Sequence, residues 1–170
     1  MLWARSVMAG FGVVVVLSLM VGAGLAAGAV INLPSGIATS YSSVAPSEEL
    51  ELFRLLNRAR SDAREPLLAM DPRLRSMARA FSEDMASHGF IGHESSSGET
   101  LRERLSAALR PGTEFGENVG LVQTVEQANR AFLASPAHRT VMLYPAFRHV
   151  GIGITTAGRQ ELVITEDFTQ

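Results

Sequence analysis

The chain begins with a long stretch that carries no charge. Between Ser6 and Ser47 there is no acidic or basic residue, and residues 7–31 are apolar or small apart from Ser18. Helices of a globular core keep a polar face, and this run has none. We therefore expect a targeting segment here and a folded domain built entirely from the residues that follow.

Two interpretations of residues 1–31 stay open. One is a cleaved signal peptide with Arg5 as its basic start and Ala27-Gly28-Ala29 as a small-residue cleavage site. The other is a retained transmembrane anchor, because the run exceeds the roughly 20 residues that span a bilayer. In both, Arg5 stays cytoplasmic and the remainder is exported. The predicted location is extracytoplasmic, with a secreted, periplasmic or membrane-anchored domain.

Composition excludes several classes of protein. The 170 residues include no cysteine, so disulfides, thiolate metal sites and thiol nucleophiles are ruled out. The formal net charge is -2, which gives a nucleic acid no electrostatic help. We expect no nucleic-acid partner and a domain stabilised by packing alone.

Residues 32–46 are rich in Ser, Ala, Pro and Gly and are predicted to be a flexible linker, so the domain spans residues 47–170. Apolar residues at helical spacing, with capping residues before them, predict four helices and a short fifth. The predicted helices cover residues 47–63, 72–89, 100–109 and 124–134, and a short turn of helix follows Ser135-Pro136.

The C-terminal part changes to the period of a strand. Apolar residues alternate in 150–154 and again in 162–168, with a turn at 157–160, which predicts an antiparallel hairpin. Gly151 and Gly153 would let another element pack closely on one face. With a further strand at 118–122, the fold class is α+β, a small antiparallel sheet covered by helices.

Three polar side chains stand between these apolar elements. His93 follows Gly92, Glu117 lies in Gly116-Glu117-Asn118, and His138 lies in Ser135-Pro136-Ala137-His138-Arg139. We place all three on turns or element ends, where side chains can converge on a cleft. Two imidazoles and one carboxylate are the ligand set of an open zinc site. The alternative is a hydrogen-bonded group that pins loops together.

Three other residues are interpreted as structural support. Asn118 is expected to shape its loop. Asn57 and Arg60, one helical turn apart, are expected to fix neighbouring backbone.

Seven segments stand in an order that resembles the CAP superfamily, named for cysteine-rich secretory proteins, antigen 5 and pathogenesis-related proteins and also known as SCP-like extracellular domains. The segments are Leu56-Asn57-Arg58-Ala59-Arg60, Leu74 to Met85, Gly92-His93, Gly98 with Arg104, Gly116-Glu117-Asn118, Ser135-Pro136-Ala137-His138-Arg139, and Val150-Gly151-Ile152-Gly153. The resemblance is to bacterial, cysteine-free members and implies an α-β-α sandwich.

The resemblance also implies a cleft with two histidines and two acidic residues. His93, Glu117 and His138 match, whereas the fourth, an acidic residue shortly before the second histidine, is missing from 131–135. Glu126 lies two turns too early, and Glu94 belongs to another segment.

The resemblance leaves three functions open. The favoured one is an envelope module that binds a lipid or wall-derived ligand, with or without a divalent metal such as zinc in the cleft. The second is a metal-assisted hydrolase, with Glu117 and His138 as candidate catalytic residues and a water as nucleophile. The third is a structural or interaction domain with a vestigial cleft. The oligomeric state is left open.

Overall fold

The computed structural model describes residues 7–8, 13–21, 30–32, 46–158 and 161–170. Residues 33–45 of the predicted linker lie outside the described residues. The helices are α1 (Pro46–Asp62), α2 (Pro72–His88), α3 (Leu101–Leu105), α4 (Val125–Ala134) and α5 (Pro136–Met142). The strands are β1 (Val7–Met8), β2 (Val13–Val21), β3 (Ile31–Asn32), β4 (Ala69–Met70), β5 (Phe90–Ile91), β6 (Phe115–Val122), β7 (His149–Ala157) and β8 (Glu161–Thr169).

One sheet organises the domain. Its strand order is β1-β2-β6-β8-β7-β4, and every pair is antiparallel except β4 with β7, while β3 and β5 form a separate pair. The predicted hairpin is β7-β8, with His149 opposite Thr169 and Ala157 opposite Glu161. The α+β class is confirmed. The two-residue strands β4 and β5 were not predicted, because so short a segment has no period to detect.

Helices cover both faces of this sheet, which confirms the α-β-α sandwich. On one face, Phe81 and Met85 of α2 pack with Val119 and Leu121 of β6. On the other face, α1 and α4 pack against alternate residues of β7 and β8 in the larger core cluster. Consecutive residues of each central strand therefore enter different layers of the core.

Two helix boundaries differ from the sequence prediction. Helix α1 begins at Pro46, so Ser47 lies inside its first turn rather than at the N-cap; proline is favoured at the first helical position because its fixed φ suits the helix. Helix α3 ends at Leu105 instead of residue 109. The backbone continues there in tight turns, such as Ala108 N–H to the Leu105 carbonyl at 2.8 Å, ahead of Pro111-Gly112.

The N-terminal apolar run contributes a strand to the sheet. Strand β2 pairs antiparallel with β6, from Val15 opposite Leu121 to Val21 opposite Phe115. This pairing was not predicted; the β-branched composition of the run suits a strand, and pairing supplies hydrogen bonds to the edge of β6. Among the described residues, no helix combines the length and apolarity needed to cross a membrane. Cleavage and anchoring of residues 1–31 both stay predictions.

Close contact between α2 and β7 depends on two glycines. A Cβ atom at Gly151 would lie 2.1 Å from the backbone carbon of Leu74, and one at Gly153 would lie 2.2 Å from that of Ala78. Any side chain at these positions would overlap the helix backbone. The helix itself is fixed at both ends, by the Asp71 side chain, which accepts from Leu74 N–H at 3.0 Å, and by Gly89 at φ 69°.

Gly153→Ala should therefore destabilise the domain although it adds only one methyl group. Backbone cannot rotate away as a side chain can, so α2 must shift and lose packing against the sheet. We expect a loss of about 2–3 kcal/mol in the free energy of unfolding. Urea unfolding measures it, and an unfolding midpoint equal to that of the wild type would contradict the packing described above.

Candidate functional site

The three candidate residues lie in different kinds of structure. His93 lies in a bend after β5, Glu117 lies inside β6, and His138 lies in α5. The prediction that Glu117 sits on a turn is wrong. Its segment is continuous strand from Phe115, because β8 pairs with β6 along its whole length.

His93 and Glu117 form a closed buried cluster with Arg104. His93 Nδ1–H donates to Glu117 Oε1 at 2.7 Å, and an Arg104 guanidinium nitrogen donates to Glu117 Oε2 at 2.8 Å. The same nitrogen also donates to the backbone carbonyl of His93 at 3.1 Å. The Arg104 guanidinium stacks on Phe81, 3.4 Å from the ring centroid. Both carboxylate oxygens of Glu117 are therefore engaged.

Glu117 is ionised in this environment. Burial opposes its negative charge, but the charge of Arg104 and the hydrogen bonds from His93 and Arg104 outweigh burial and hold the pKa of Glu117 below its ordinary value. A buried carboxylate of this kind is an ion-pair partner in the ground state, and its oxygens are not available to take a proton from a water.

A second carboxyl group lies opposite Glu117 on the neighbouring strand. Asp167 of β8 is paired with Glu117 in the strand register and is fully buried. Burial, and next the charge of Glu117, raise the pKa of Asp167 well above its ordinary value. Sequence reasoning missed this residue. The available signal was the pair Glu166-Asp167, two consecutive acidic residues between Ile164 and Phe168 of the predicted strand.

Asn118, Glu166 and His138 meet on the opposite face of the sheet. The Asn118 side-chain amide donates to Glu166 Oε2 at 3.3 Å and to the His138 carbonyl at 3.4 Å. The His138 ring stacks on Phe132 with centroids 5.2 Å apart, and its Nδ1 lies 2.7 Å from Ser135 Oγ. Burial raises the pKa of Glu166 to about 7, against an opposing hydrogen bond from Asn118.

The sheet thus separates the predicted triad. His93 and Glu117 are in contact on the α2 side, and His138 belongs to the other side with Asn118. Within the ranges that the structure describes, no group of three His, Asp or Glu side chains is close enough to hold a metal ion. As arranged, the three residues do not fit one tetrahedral site, and zinc binding stays a prediction.

The two supporting residues of α1 both bind backbone. Asn57 donates to the Leu68 carbonyl at 3.1 Å and accepts from Leu68 N–H at 2.8 Å. Arg60 is fully buried and donates to four backbone carbonyls, those of Pro66, Met142, Tyr144 and Phe147. Together they tie α1 to the segment before β4 and to the loop between α5 and β7.

The extent of the match between this chain and a family model decides the family to which the chain belongs. Residues 53–168 match the model of the CAP family, described as the cysteine-rich secretory protein family. The chain belongs to this family. The matched range contains every residue of the two polar clusters and begins after the N-terminal apolar run.

Two Bacillus proteins are similar to this CAP domain. The chain is 29% identical over 121 residues to the uncharacterized protein YkwD of Bacillus subtilis, which is 71% of this chain and 47% of YkwD, so the chain spans about half the length of this curated relative. An extracellular SCP-domain protein of Bacillus anthracis has a TM-score of 0.64 at 25% identity, over 76% of this chain and 45% of that one.

A second solved structure shares the fold. An outer surface protein of Borrelia burgdorferi has a TM-score of 0.68 at 15% identity, over 77% of this chain and 98% of that one.

Removing the positive charge beside Glu117 should be costly. Arg104→Gln leaves a buried carboxylate without a charge partner, which typically costs about 3–5 kcal/mol. The double variant with Glu117→Gln should recover part of that loss, because no buried charge then remains. Urea unfolding of both single variants and the double variant gives the coupling energy of the pair. Additive losses would contradict the ion pair.

The contribution of Glu166 to stability should fall as the pH rises from about 4.5 to about 7. Glu166 titrates near 7 in the folded state against 4.5 ordinarily, so the folded chain holds this proton after the unfolded chain has lost it. The resulting stability is fully present below about pH 4.5 and is lost as the pH rises to about 7, a change of about 3 kcal/mol. Glu166→Gln should flatten this part of the profile, whereas exposed Glu94→Gln should not. Parallel profiles for the wild type and Glu166→Gln would contradict the assignment.

Proposed function

We propose that this protein is an exported CAP-domain protein of the cell envelope that binds an envelope ligand, a lipid or a wall-derived molecule, without hydrolysing it. One observation carries the choice of binding over hydrolysis. Glu117, the only carboxylate among the three family-matched residues, has both oxygens engaged and no exposed surface. A general base or an open metal ligand needs a free oxygen that water or substrate can approach.

The proposed location draws on two kinds of support. The uncharged N-terminal run has the composition of a targeting segment. Of the structural relatives, the protein of Bacillus anthracis is described as extracellular and that of Borrelia burgdorferi as an outer surface protein. Both favour a domain that works outside the cytoplasm, where envelope lipids and wall fragments are the available ligands.

Metal-assisted hydrolysis is the second candidate. His93 Nε2 is buried and meets no hydrogen-bond partner in the described part of the chain. Because Nδ1–H donates to Glu117, Nε2 is the ring nitrogen that would offer its lone pair to a metal ion. His93 Nε2 is therefore the atom at which metal binding can be tested.

Binding is tested by thermal unfolding of the full chain in detergent with extracted envelope lipids and solubilised wall fragments. A ligand at 100 times its Kd stabilises the folded state by about 2.7 kcal/mol, which raises the melting temperature by several degrees. We expect one fraction to do so and to be recovered chemically unchanged. No shift with any fraction would contradict the proposal.

The hydrolase alternative has its own readout. Zinc titration by calorimetry compares the wild type with His93→Ala. Stoichiometric binding that disappears in the variant, together with cleavage products from a bound fraction, would overturn a purely binding role. Absence of zinc binding in both proteins would support it.

A further inference from the structure

We propose that the cavity between α2, α3 and the loop 95–99 binds a small zwitterion, an amino acid or short peptide with a free ammonium group and a carboxylate. The proposal rests on the proposed function and narrows the wall-derived ligand to one chemical class. The cavity has a volume of about 310 Å³, at the lower end of the roughly 300–1,000 Å³ of small-ligand sites. Its lining residues are Met77, Ala80, Phe81, Asp84, Ser95, Ser97, Glu99, Glu103 and Arg104.

Arg104, which lines this cavity, has two donor nitrogens that lack a hydrogen-bond acceptor among the described residues. Its side chain is 8% exposed, and only one of its nitrogens is used by Glu117 and His93. The nitrogens Nε and Nη1 are buried and meet no partner among the described residues. Leaving such donors unpaired costs about 1–3 kcal/mol or more. A ligand carboxylate or carbonyl oxygen would satisfy them after a small shift of the Arg104 side chain that opens these nitrogens to the cavity.

The remaining charges of the lining are negative. Asp84, Glu99 and Glu103 surround the cavity, and the charge of Arg104 is already balanced by Glu117. A hydrogen bond from the Thr100 backbone, and another from its hydroxyl, lower the pKa of Glu103. Glu103 is therefore ionised at neutral pH. A ligand that enters this cavity gains by carrying an ammonium group toward Glu99 and Glu103.

The loop that forms the outer wall is already held in place. Asp84 of α2 accepts from the backbone N–H of Ser96 at 2.7 Å. Ser95 N–H donates to the Glu99 carbonyl at 2.9 Å, and Gly98 closes the turn at φ 86°, a conformation that suits glycine. The loop therefore needs little ordering before a ligand binds, which lowers the cost of binding.

These features together select a zwitterion over simpler ligands. A simple anion would meet three carboxylates, and a metal ion would meet the Arg104 guanidinium. An uncharged lipid chain could pack on Met77 and Phe81 but would leave the donors of Arg104 unpaired. A molecule with ammonium and carboxylate groups a few atoms apart can place its ammonium group near Glu99 and Glu103 and its carboxylate near Arg104.

The probe is alanyl-alanine, titrated into the full chain and followed by calorimetry and by NMR of the backbone amides of residues 95–99. We expect saturable binding. The N-acetylated dipeptide should bind at least tenfold more weakly because its ammonium is lost, and the C-terminal amide should bind several-fold more weakly. Equal affinity for all three compounds, or no binding at tens of millimolar dipeptide, would overturn the proposal.

Variants test the location. Glu99→Gln should weaken binding about three- to tenfold, while Glu94→Gln, which removes one exposed charge next to the same loop, should not change it. Ala80→Trp, at an exposed position of α2, should fill the cavity and abolish binding while leaving the circular dichroism spectrum unchanged. Unaltered affinity in both Glu99→Gln and Ala80→Trp would overturn the assignment of the cavity.

The outcome separates this inference from the proposed function. If an envelope fraction stabilises the wild type and Ala80→Trp equally, the envelope function stands and the cavity assignment fails. If the dipeptide binds at the cavity but no envelope fraction stabilises the protein, the cavity stands and the envelope function fails.

Discussion

The buried ion pair between Glu117 and Arg104 is the interaction on which the rest of this arrangement depends. A carboxylate in the middle of a sheet is tolerated only with a charge partner and with hydrogen bonds to both oxygens. Arg104 and His93 meet that requirement, and in doing so they tie α3 and the segment after β5 to strand β6. Asp167 lies opposite Glu117 on β8, and burial together with the charge of Glu117 raises its pKa, which disfavours a second buried charge.

Strand alternation imposes a second constraint. Glu117 and Asn118 are consecutive, so their side chains enter opposite layers of the sandwich. Glu117 joins the cluster under α2, and Asn118 joins Glu166 and the His138 segment under the other helices. In the described part of the chain, the predicted site residues therefore lie in two polar clusters rather than in one cleft. Arg104 connects the α2 side to the neighbouring cavity, because it pairs with Glu117 and also lines that cavity.

Many parts of the structure were predictable because local rules govern them. Asp71-Pro72 and Gly89 delimit α2 through a cap, a proline and a left-handed glycine, all of which are short-range effects. The alternation in 150–168 predicted β7 and β8. Gly151 and Gly153 predicted close packing, though only the fold shows that the approaching backbone belongs to Leu74 and Ala78. The short strands β4 and β5 carry no period of their own. Strand β4 exists because the longer β7 pairs with it, and β5 because the equally short β3 does.

The sequence by itself determined the α+β class, the order of the main elements, the membership of the CAP family and three of the buried polar residues, His93, Glu117 and His138. Those properties follow from periodicity, capping and motif order, which depend only on the order of residues along the chain. Tertiary structure alone decided which polar residues meet. Asp167 reaches Glu117 because β8 pairs with β6 in one register, and a shift of one residue would place Glu166 there instead. His138 is separated from His93 because the sheet lies between them. This separation depends on the topology of the sheet and cannot be read from the spacing of the two residues in the sequence.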